Sequence, residues 1–246
     1  KPGLDLVLPV KKELELCNKY GFKNTLLLQY DAMLRNDILS VIECDGKNTE
    51  LGIWIEIVRP LCEKTGIKWC GREGWDWDWY VNPGFLPAYS KNEKKLLIDE
   101  IMHKFFKLFG YYPKSVGSWL LDSYSMEYMQ KNYNVSAFAI CKEQFGIDAY
   151  TLNGGYYNGA YYPSRLNCIC PAQTEKMQIN APVLRLLGPD PIYNYGLDMY
   201  KDALNVPSTI EPAWDMGQDS ERVRWFFDSY FSGENMALSY MQLGQE

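Results

Sequence analysis

The sequence predicts an α/β fold in which seven strands alternate with helices and close into a parallel barrel of the (β/α)7 type. Three observations predict this fold. Short apolar runs, typical of strands buried on both faces, alternate with amphipathic segments of helical period. The length of 246 residues is one that a single α/β barrel commonly uses. No internal repeat or low-complexity linker divides the chain, so we expect residues 1–246 to form one domain.

The predicted strands are short runs of apolar residues. Residues 24–30 (NTLLLQY) and 51–57 (LGIWIEI) are the first two, and their continuous apolar character indicates burial on both faces. The other five predicted strands are residues 115–121, 135–140, 182–187, 208–212 and 237–243.

The predicted helices have apolar residues at helical spacing and recognisable ends. Residues 90–109 form the clearest one, because Ser90 and Glu93 make a capping box and Gly110 follows the last turn. The other predicted helices are residues 9–20 before Gly21, residues 36–44 with Asn36 as cap, a helix that ends at about Tyr133, and residues 219–231 with Asp219 as cap. Two long aromatic loops, residues 69–89 and 145–178, interrupt this alternation.

Composition excludes several classes of function. The formal net charge is -6, whereas a nucleic-acid backbone or an anionic membrane needs clustered Lys and Arg. No apolar run approaches the roughly 20 residues that cross a bilayer. The one histidine, His103, lies within a predicted amphipathic helix, which argues against a Ser–His–Asp or Cys–His nucleophile and a His-rich zinc site. No phosphate loop or dinucleotide fingerprint is present, and we expect no cofactor and no metal. An all-oxygen calcium or magnesium site built from carboxylates is the open alternative, although no segment has the spacing of a known metal-binding loop.

Cysteines and chain ends bear on the cellular context. The seven cysteines lack metal-binding spacing, and we expect most of them to be buried free thiols. The first residues are not a signal peptide, but one could have been removed, so the compartment stays open, with an extracytoplasmic location favoured. The chain stops at Glu246 directly after a predicted strand, and we expect a fragment that continues into a further C-terminal domain.

Acidic side chains stand at or near the carboxyl ends of five predicted strands. They are Asp31, Glu56, Asp122, Glu211 and Glu246. In a parallel barrel these ends share one rim, where active sites are built. Two carboxyl groups facing each other across a glycosidic bond are what acid–base hydrolysis requires. A structural alternative is that Asp122 caps the helix after it and Asp31 caps a turn.

The first aromatic loop alternates indoles with carboxylates. Its core is Trp75, Asp76, Trp77, Asp78 and Trp79. Indole rings stack on the C–H faces of sugars, and carboxylates accept hydrogen bonds from sugar hydroxyls, so this pattern favours a saccharide-binding surface. The alternative is a strand whose tryptophans face the core and whose aspartates face water.

The second aromatic loop offers further saccharide contacts. Tyr161, Tyr162 and Arg165 lie in its Gly- and Tyr-rich part, and Trp214 follows the sixth predicted strand. These residues could form the other wall of a carbohydrate cleft. An ordered loop that packs its own tyrosines over the barrel is the alternative.

Residues 28–31 (LQYD) are similar to the first motif of polysaccharide deacetylases, which ends in two Asp; Ala32 replaces the second here. Trp54 and Val58 or Arg59 stand near the positions of that family's metal-binding His. The layout resembles the glycoside hydrolase/deacetylase (β/α)-barrel superfamily. The resemblance implies a distorted seven-stranded barrel and places Asp31 at the position of the acid–base Asp. Because the metal-binding His are missing, we do not expect metal-dependent deacetylation.

A closer resemblance rests on three segments: residues 71–79, 117–122 (GSWLLD) and 161–165 (YYPSR). They look like those of a bacterial domain family of unknown function within that superfamily. This resemblance covers the whole chain but implies no established activity.

These observations predict a metal-independent glycoside hydrolase that acts on an oligo- or polysaccharide through two carboxylates. Asp122 and Glu211 are the predicted catalytic pair, with Glu56 and Asp31 as substitutes. The alternatives are a non-catalytic saccharide-binding barrel, a degenerate deacetylase-like domain, and a scaffold domain that contacts another part of a longer chain.

Overall fold

A computed structural model describes residues 6–46, 48–71, 84–140 and 160–185, together with residues 221 and 224. Its centre is a five-stranded parallel sheet in the order β1-β2-β3-β4-β5. The strands are β1 (Asn24–Leu28), β2 (Thr49–Trp54), β3 (Ser115–Ser118), β4 (Ala137–Ile140) and β5 (Val183–Arg185). The predicted α/β class and the first five predicted strands are confirmed, although β1 to β4 are shorter than their apolar runs.

The spatial order of the strands follows their order in the chain. Among the described strands, each one therefore pairs with the strand before it and the strand after it in the chain. The strands of an α/β barrel are arranged in this way. The predicted strands at 208–212 and 237–243 lie outside the described residues, as does most of the predicted helix at 219–231. Closure into a seven-stranded barrel and the single-domain organisation therefore stay predictions.

Five helices accompany the described strands: α1 (Val7–Tyr20), α2 (Asn36–Asp45), α3 (Arg59–Thr65), α4 (Lys91–Phe109) and α5 (Ser123–Tyr133). Helix α1 packs against α2, and α4 packs against both α3 and α5. Every helix in the described part of the chain is too short or too polar to cross a lipid bilayer.

The core lies on one face of the sheet. Residues paired across successive strands form a buried row: Leu28, Ile53, Val116, Phe138 and Val183. These residues belong to the same apolar cluster as Leu97, Ile101 and Phe105 of α4. Because side chains alternate along a strand, the residues between them face the opposite side of the sheet.

The helix ends agree in large part with the sequence. Ser90 and Glu93 form the predicted capping box at the start of α4, and Gly21 and Gly110 end α1 and α4 in the left-handed conformation. The prediction that Asn36 caps α2 is wrong, because Arg35 occupies the cap position and Asn36 is the first helical residue. Helix α3 was not predicted, although Pro60 in its first turn and Gly66 after its last turn are typical signals.

The described cysteines are free, but most of them are not buried. Cys62 and Cys168 are buried, Cys17 is half-buried, and Cys44, Cys70 and Cys170 are exposed. The expectation of mostly buried thiols is therefore wrong for this part of the chain. Cys141 lies outside the described residues. His103 is exposed on α4, as expected.

Tyrosine–carboxylate hydrogen bonds hold α4 in place. The hydroxyls of Tyr128 and Tyr133 on α5 both donate to Asp99 Oδ1 of α4. The Tyr30 hydroxyl, just beyond β1, donates to Glu100 Oε1 at 2.7 Å. Burial and the hydrogen bond to Asp99 raise the pKa of Tyr128 to about 12, and the same causes raise the pKa of Tyr133 further.

These bonds predict a loss of stability at alkaline pH. A raised folded-state pKa contributes stability that is complete below the unfolded tyrosine pKa of about 10 and disappears as the pH rises through the folded value. We expect the free energy of unfolding to fall between pH 10 and about pH 12, and to fall less steeply in Tyr128→Phe. Urea denaturation at several pH values in this range measures the free energy of unfolding. Tyr20→Phe, at an exposed tyrosine, is the control. Equal slopes in wild type and Tyr128→Phe would contradict the assignment.

Candidate functional site

Glu56 lies just past the end of β2 with both carboxylate oxygens hydrogen-bonded. Gln29, which follows β1, donates from Nε2 to Oε2 at 2.7 Å. The indole Nε1 of Trp54 donates to Oε1 at 2.9 Å. Both donors are neutral, and together they fix the orientation of a half-buried carboxylate at the carboxyl ends of two neighbouring strands.

The Trp54 ring packs against Gly117, its partner on β3. A Cβ built at Gly117 would lie 2.7 Å from Trp54 Cε3 and 2.6 Å from Leu27 Cδ1, closer than real Cβ contacts. Trp119, two residues further along the chain, approaches Trp54 edge-on, with ring centroids 5.7 Å apart and planes at 89°. Two indoles and the Glu56 carboxylate therefore share this region of the sheet.

Substituting Gly117 tests this packing. We expect Gly117→Ala to lower the free energy of unfolding by about 1–3 kcal/mol, the usual effect of overpacking, and to displace the Trp54 ring from Glu56. Urea denaturation and the tryptophan fluorescence spectrum measure the two effects. A variant with wild-type stability and spectrum would show that the indole does not rest on this glycine.

Asp122 caps helix α5 and is held by a lysine. Its Oδ1 accepts from the Ser125 backbone N–H at 3.0 Å, and its Oδ2 accepts from the Ser125 hydroxyl at 2.8 Å. Lys94 Nζ of α4 lies 2.9 Å from the same Oδ2, with only 10% of the lysine side chain exposed. The structural alternative, a helix cap, is thus confirmed for Asp122. Its catalytic role stays a prediction.

Asp31 has a comparable local role. Its side chain accepts from the Ala32 backbone N–H at 2.9 Å and begins the 3-10 turn Ala32–Leu34. The structure therefore also confirms the turn cap for Asp31, while its role as a substitute catalytic acid is untested.

The second aromatic loop packs in part on the protein itself. Tyr161 is buried beside β5, where its hydroxyl donates to the Cys168 carbonyl at 2.7 Å. Tyr162 is 48% exposed. Arg165 lies against α5, with Nε 3.1 Å from Glu127 Oε1. Of the three predicted contacts in this loop, Tyr162 and Arg165 are thus on the surface, whereas Tyr161 packs inside.

A cleft of about 430 Å³ opens beside Trp119. One wall is formed by the chain from Trp119 to Tyr124, which leaves the end of β3 and enters α5. The opposite wall is formed by residues 165–169, and Pro87 and Ile140 complete the lining. The cleft brings two predicted site residues, Asp122 and Arg165, to the same place.

The remaining predicted site residues lie outside the described residues. They are Trp75, Asp76, Trp77, Asp78, Trp79, Glu211 and Trp214. Sequence reasoning did not single out Gln29, Trp54 or Trp119 as site residues. The spacing Trp54-x-Glu56 was an available signal, because residues two apart in a strand face the same side. Among the described side chains, no group of three His, Cys, Asp or Glu could hold a metal ion.

Comparisons with known proteins identify a family and find a similar structure. The sequence profile of the family DUF3863, "Domain of Unknown Function with solved-structure structure", matches residues 78–225 and confirms the resemblance to a domain family of unknown function. One similar structure is the crystal structure of "a putative glycoside hydrolase/deacetylase" from Parabacteroides distasonis, with 17% identity and a TM-score of 0.49. The match covers 73% of this chain and 37% of that chain. No curated protein matches the sequence.

Proposed function

This chain belongs to the DUF3863 family, and we propose that it acts on carbohydrates at the site formed by Glu56, Trp54 and Trp119. The observation that carries the proposal is a half-buried carboxylate, oriented by two neutral N–H donors, beside two indole rings set at 89° to each other. The site lies at the carboxyl ends of parallel strands, where α/β proteins bind their ligands.

The chemistry of this site suits a saccharide. An indole offers a flat apolar surface for the C–H face of a sugar ring. Carboxylates accept hydrogen bonds from hydroxyl groups, and Glu56 holds its carboxylate beside both indoles. The neighbouring cleft has room for a second part of the substrate, in addition to the group that binds at Glu56.

The proposed reaction is hydrolysis of a glycosidic bond by two carboxyl groups. We assign Glu56 the role of nucleophile or general base, because its hydrogen bonds fix a carboxylate in one orientation. Asp122 fits a catalytic role less well, since it caps α5 and binds Lys94. Glu211 stays the proposed second carboxyl group.

A metal ion is not part of this proposal. The sequence has Trp54 and Val58 or Arg59 near the positions at which the deacetylase motif carries metal-binding His. Hydrolysis that survives treatment with EDTA would agree with the proposal, whereas hydrolysis restored only by an added divalent cation would contradict a metal-independent reaction.

Binding to a glycan panel tests the saccharide site. We expect Trp119→Ala to weaken binding of the best glycan at least about tenfold, equivalent to about 1.4 kcal/mol. Phe22→Ala, which removes an aromatic ring that is 62% exposed elsewhere, serves as the control and should bind as wild type does. The proposal fails if no glycan binds, or if Trp119→Ala retains full affinity.

A second candidate function is saccharide binding without catalysis. It is favoured by the structural use of Asp31 and Asp122, two of the predicted catalytic carboxylates, as caps. Glycan binding without release of reducing ends would identify this function. Release of acetate from an acetylated glycan would instead identify deacetylase-like activity.

A further inference from the structure

The surface of the cleft beside Trp119 is mostly apolar. Its volume of about 430 Å³ is in the range of small-molecule sites, roughly 300–1,000 Å³. The apolar side chains on its walls are Pro87, Leu120, Leu121, Ile140, Leu166 and Ile169. Leu166 is 83% exposed.

Four polar side chains on the same walls already have partners within the protein. Asp122 is bound to Lys94, the Ser123 hydroxyl donates to the Ser164 carbonyl, Arg165 contacts Glu127 and the Lys176 carbonyl, and Asn167 donates to Cys170 Sγ. A sugar ring placed here would lose hydrogen bonds to water and form few hydrogen bonds to the protein, which is unfavourable. An alkyl, aryl or acyl group would instead bury its surface against the leucines.

We propose that this cleft binds the apolar aglycone of a glycoside substrate. The inference rests on the proposed function. Trp119 lines the cleft and contacts Trp54, whose indole N–H is bonded to Glu56. A sugar stacked on Trp119 can therefore reach Glu56 on one side and extend its substituent into the cleft on the other.

A series of glucosides that differ only in the alkyl chain tests this inference. Methyl, butyl and hexyl β-glucoside are titrated into the protein below their micelle concentrations, with hexan-1-ol as a sugar-free probe. Burying one methylene contributes about 0.8 kcal/mol, so we expect affinity to rise about fourfold per methylene until the cleft is full. Backbone amide shifts should change at residues 119–124 and 165–169.

An exposed leucine allows a variant that leaves the core intact. We expect Leu166→Asp to weaken binding of hexyl glucoside and hexan-1-ol at least about tenfold. The affinity for methyl glucoside should stay unchanged. Leu96→Asp, at a leucine that is 52% exposed on α4, is the matched control and should bind all probes as wild type does.

The outcomes separate this inference from the proposed function. Affinity that does not depend on chain length, or full binding of hexyl glucoside by Leu166→Asp, overturns the cleft assignment even if glycans bind at Glu56. Chain-length dependence and hexan-1-ol binding without any glycan binding support the apolar cleft and overturn the proposed function.

Discussion

Asp122→Asn is expected to lower the free energy of unfolding by about 3 kcal/mol, near the lower end of the range for breaking a buried ion pair. Asparagine is as good a helix cap as aspartate, so the start of α5 should survive the change. The loss arises because Lys94, almost fully enclosed, loses the carboxylate that lies 2.9 Å from its Nζ. Urea denaturation at neutral pH measures it.

A second substitution shows whether Lys94 is the cause. Adding Lys94→Met to Asp122→Asn should recover most of the lost stability, because an apolar side chain in place of a buried charge is commonly tolerated. Glu15→Gln, which removes an exposed ion pair with Lys12, should change nothing measurable. If Asp122→Asn is as stable as wild type, the pair does not hold α4 to α5. A loss of activity in an Asp122 variant is thus interpretable only after its folding is measured.

Glu56→Gln is expected to reduce glycoside hydrolysis by a factor of about 10²–10⁴, the usual contribution of a positioned acid–base group. The amide has one acceptor oxygen where the carboxylate has two, so either Gln29 or Trp54 loses its acceptor. We expect a modest loss of stability, about 1 kcal/mol, because only one hydrogen bond is removed. The rate of reducing-end release from the best glycan of the panel measures the catalytic effect.

Glu50→Gln is the matched control for this experiment. Glu50 lies on the same strand but near its start, where it is exposed and accepts a hydrogen bond from the Ser115 hydroxyl at 2.7 Å. The control should hydrolyse glycans at the wild-type rate. If Glu56→Gln hydrolyses them as fast as Glu50→Gln, Glu56 is not the catalytic carboxylate.

Local signals in the sequence predicted local structure well. The Ser90–Glu93 capping box and the glycines after α1 and α4 depend on residues close in the chain, and the structure contains them as predicted. The run LGIWIEI predicted β2, but it is apolar at almost every position. It therefore could not show that Ile53 and Ile55 face the helices while Trp54 and Glu56 share the opposite face.

The state of each rim carboxylate depended on partners that are distant in the chain. Lys94 meets Asp122 only because α4 packs against α5, and Gln29 meets Glu56 only because β1 pairs with β2. Sequence position alone ranked Asp122 ahead of Glu56 as a catalytic group. We propose Glu56 ahead of Asp122 because Asp122 is engaged by Lys94 and by the start of α5, whereas Gln29 and Trp54 orient Glu56 beside the indoles.

The indole N–H signals of the protein provide the most direct measurement of the saccharide site. The chain has eight tryptophans, and each gives one indole signal in a spectrum of nitrogen-15-labelled protein. During titration with the glycan that binds best, we expect the signals of Trp54 and Trp119 to shift in proportion to occupancy. We expect the signal of Trp69, which packs against the core, to stay unchanged. Saturable binding that leaves the signals of Trp54 and Trp119 in place would contradict the assignment of this site.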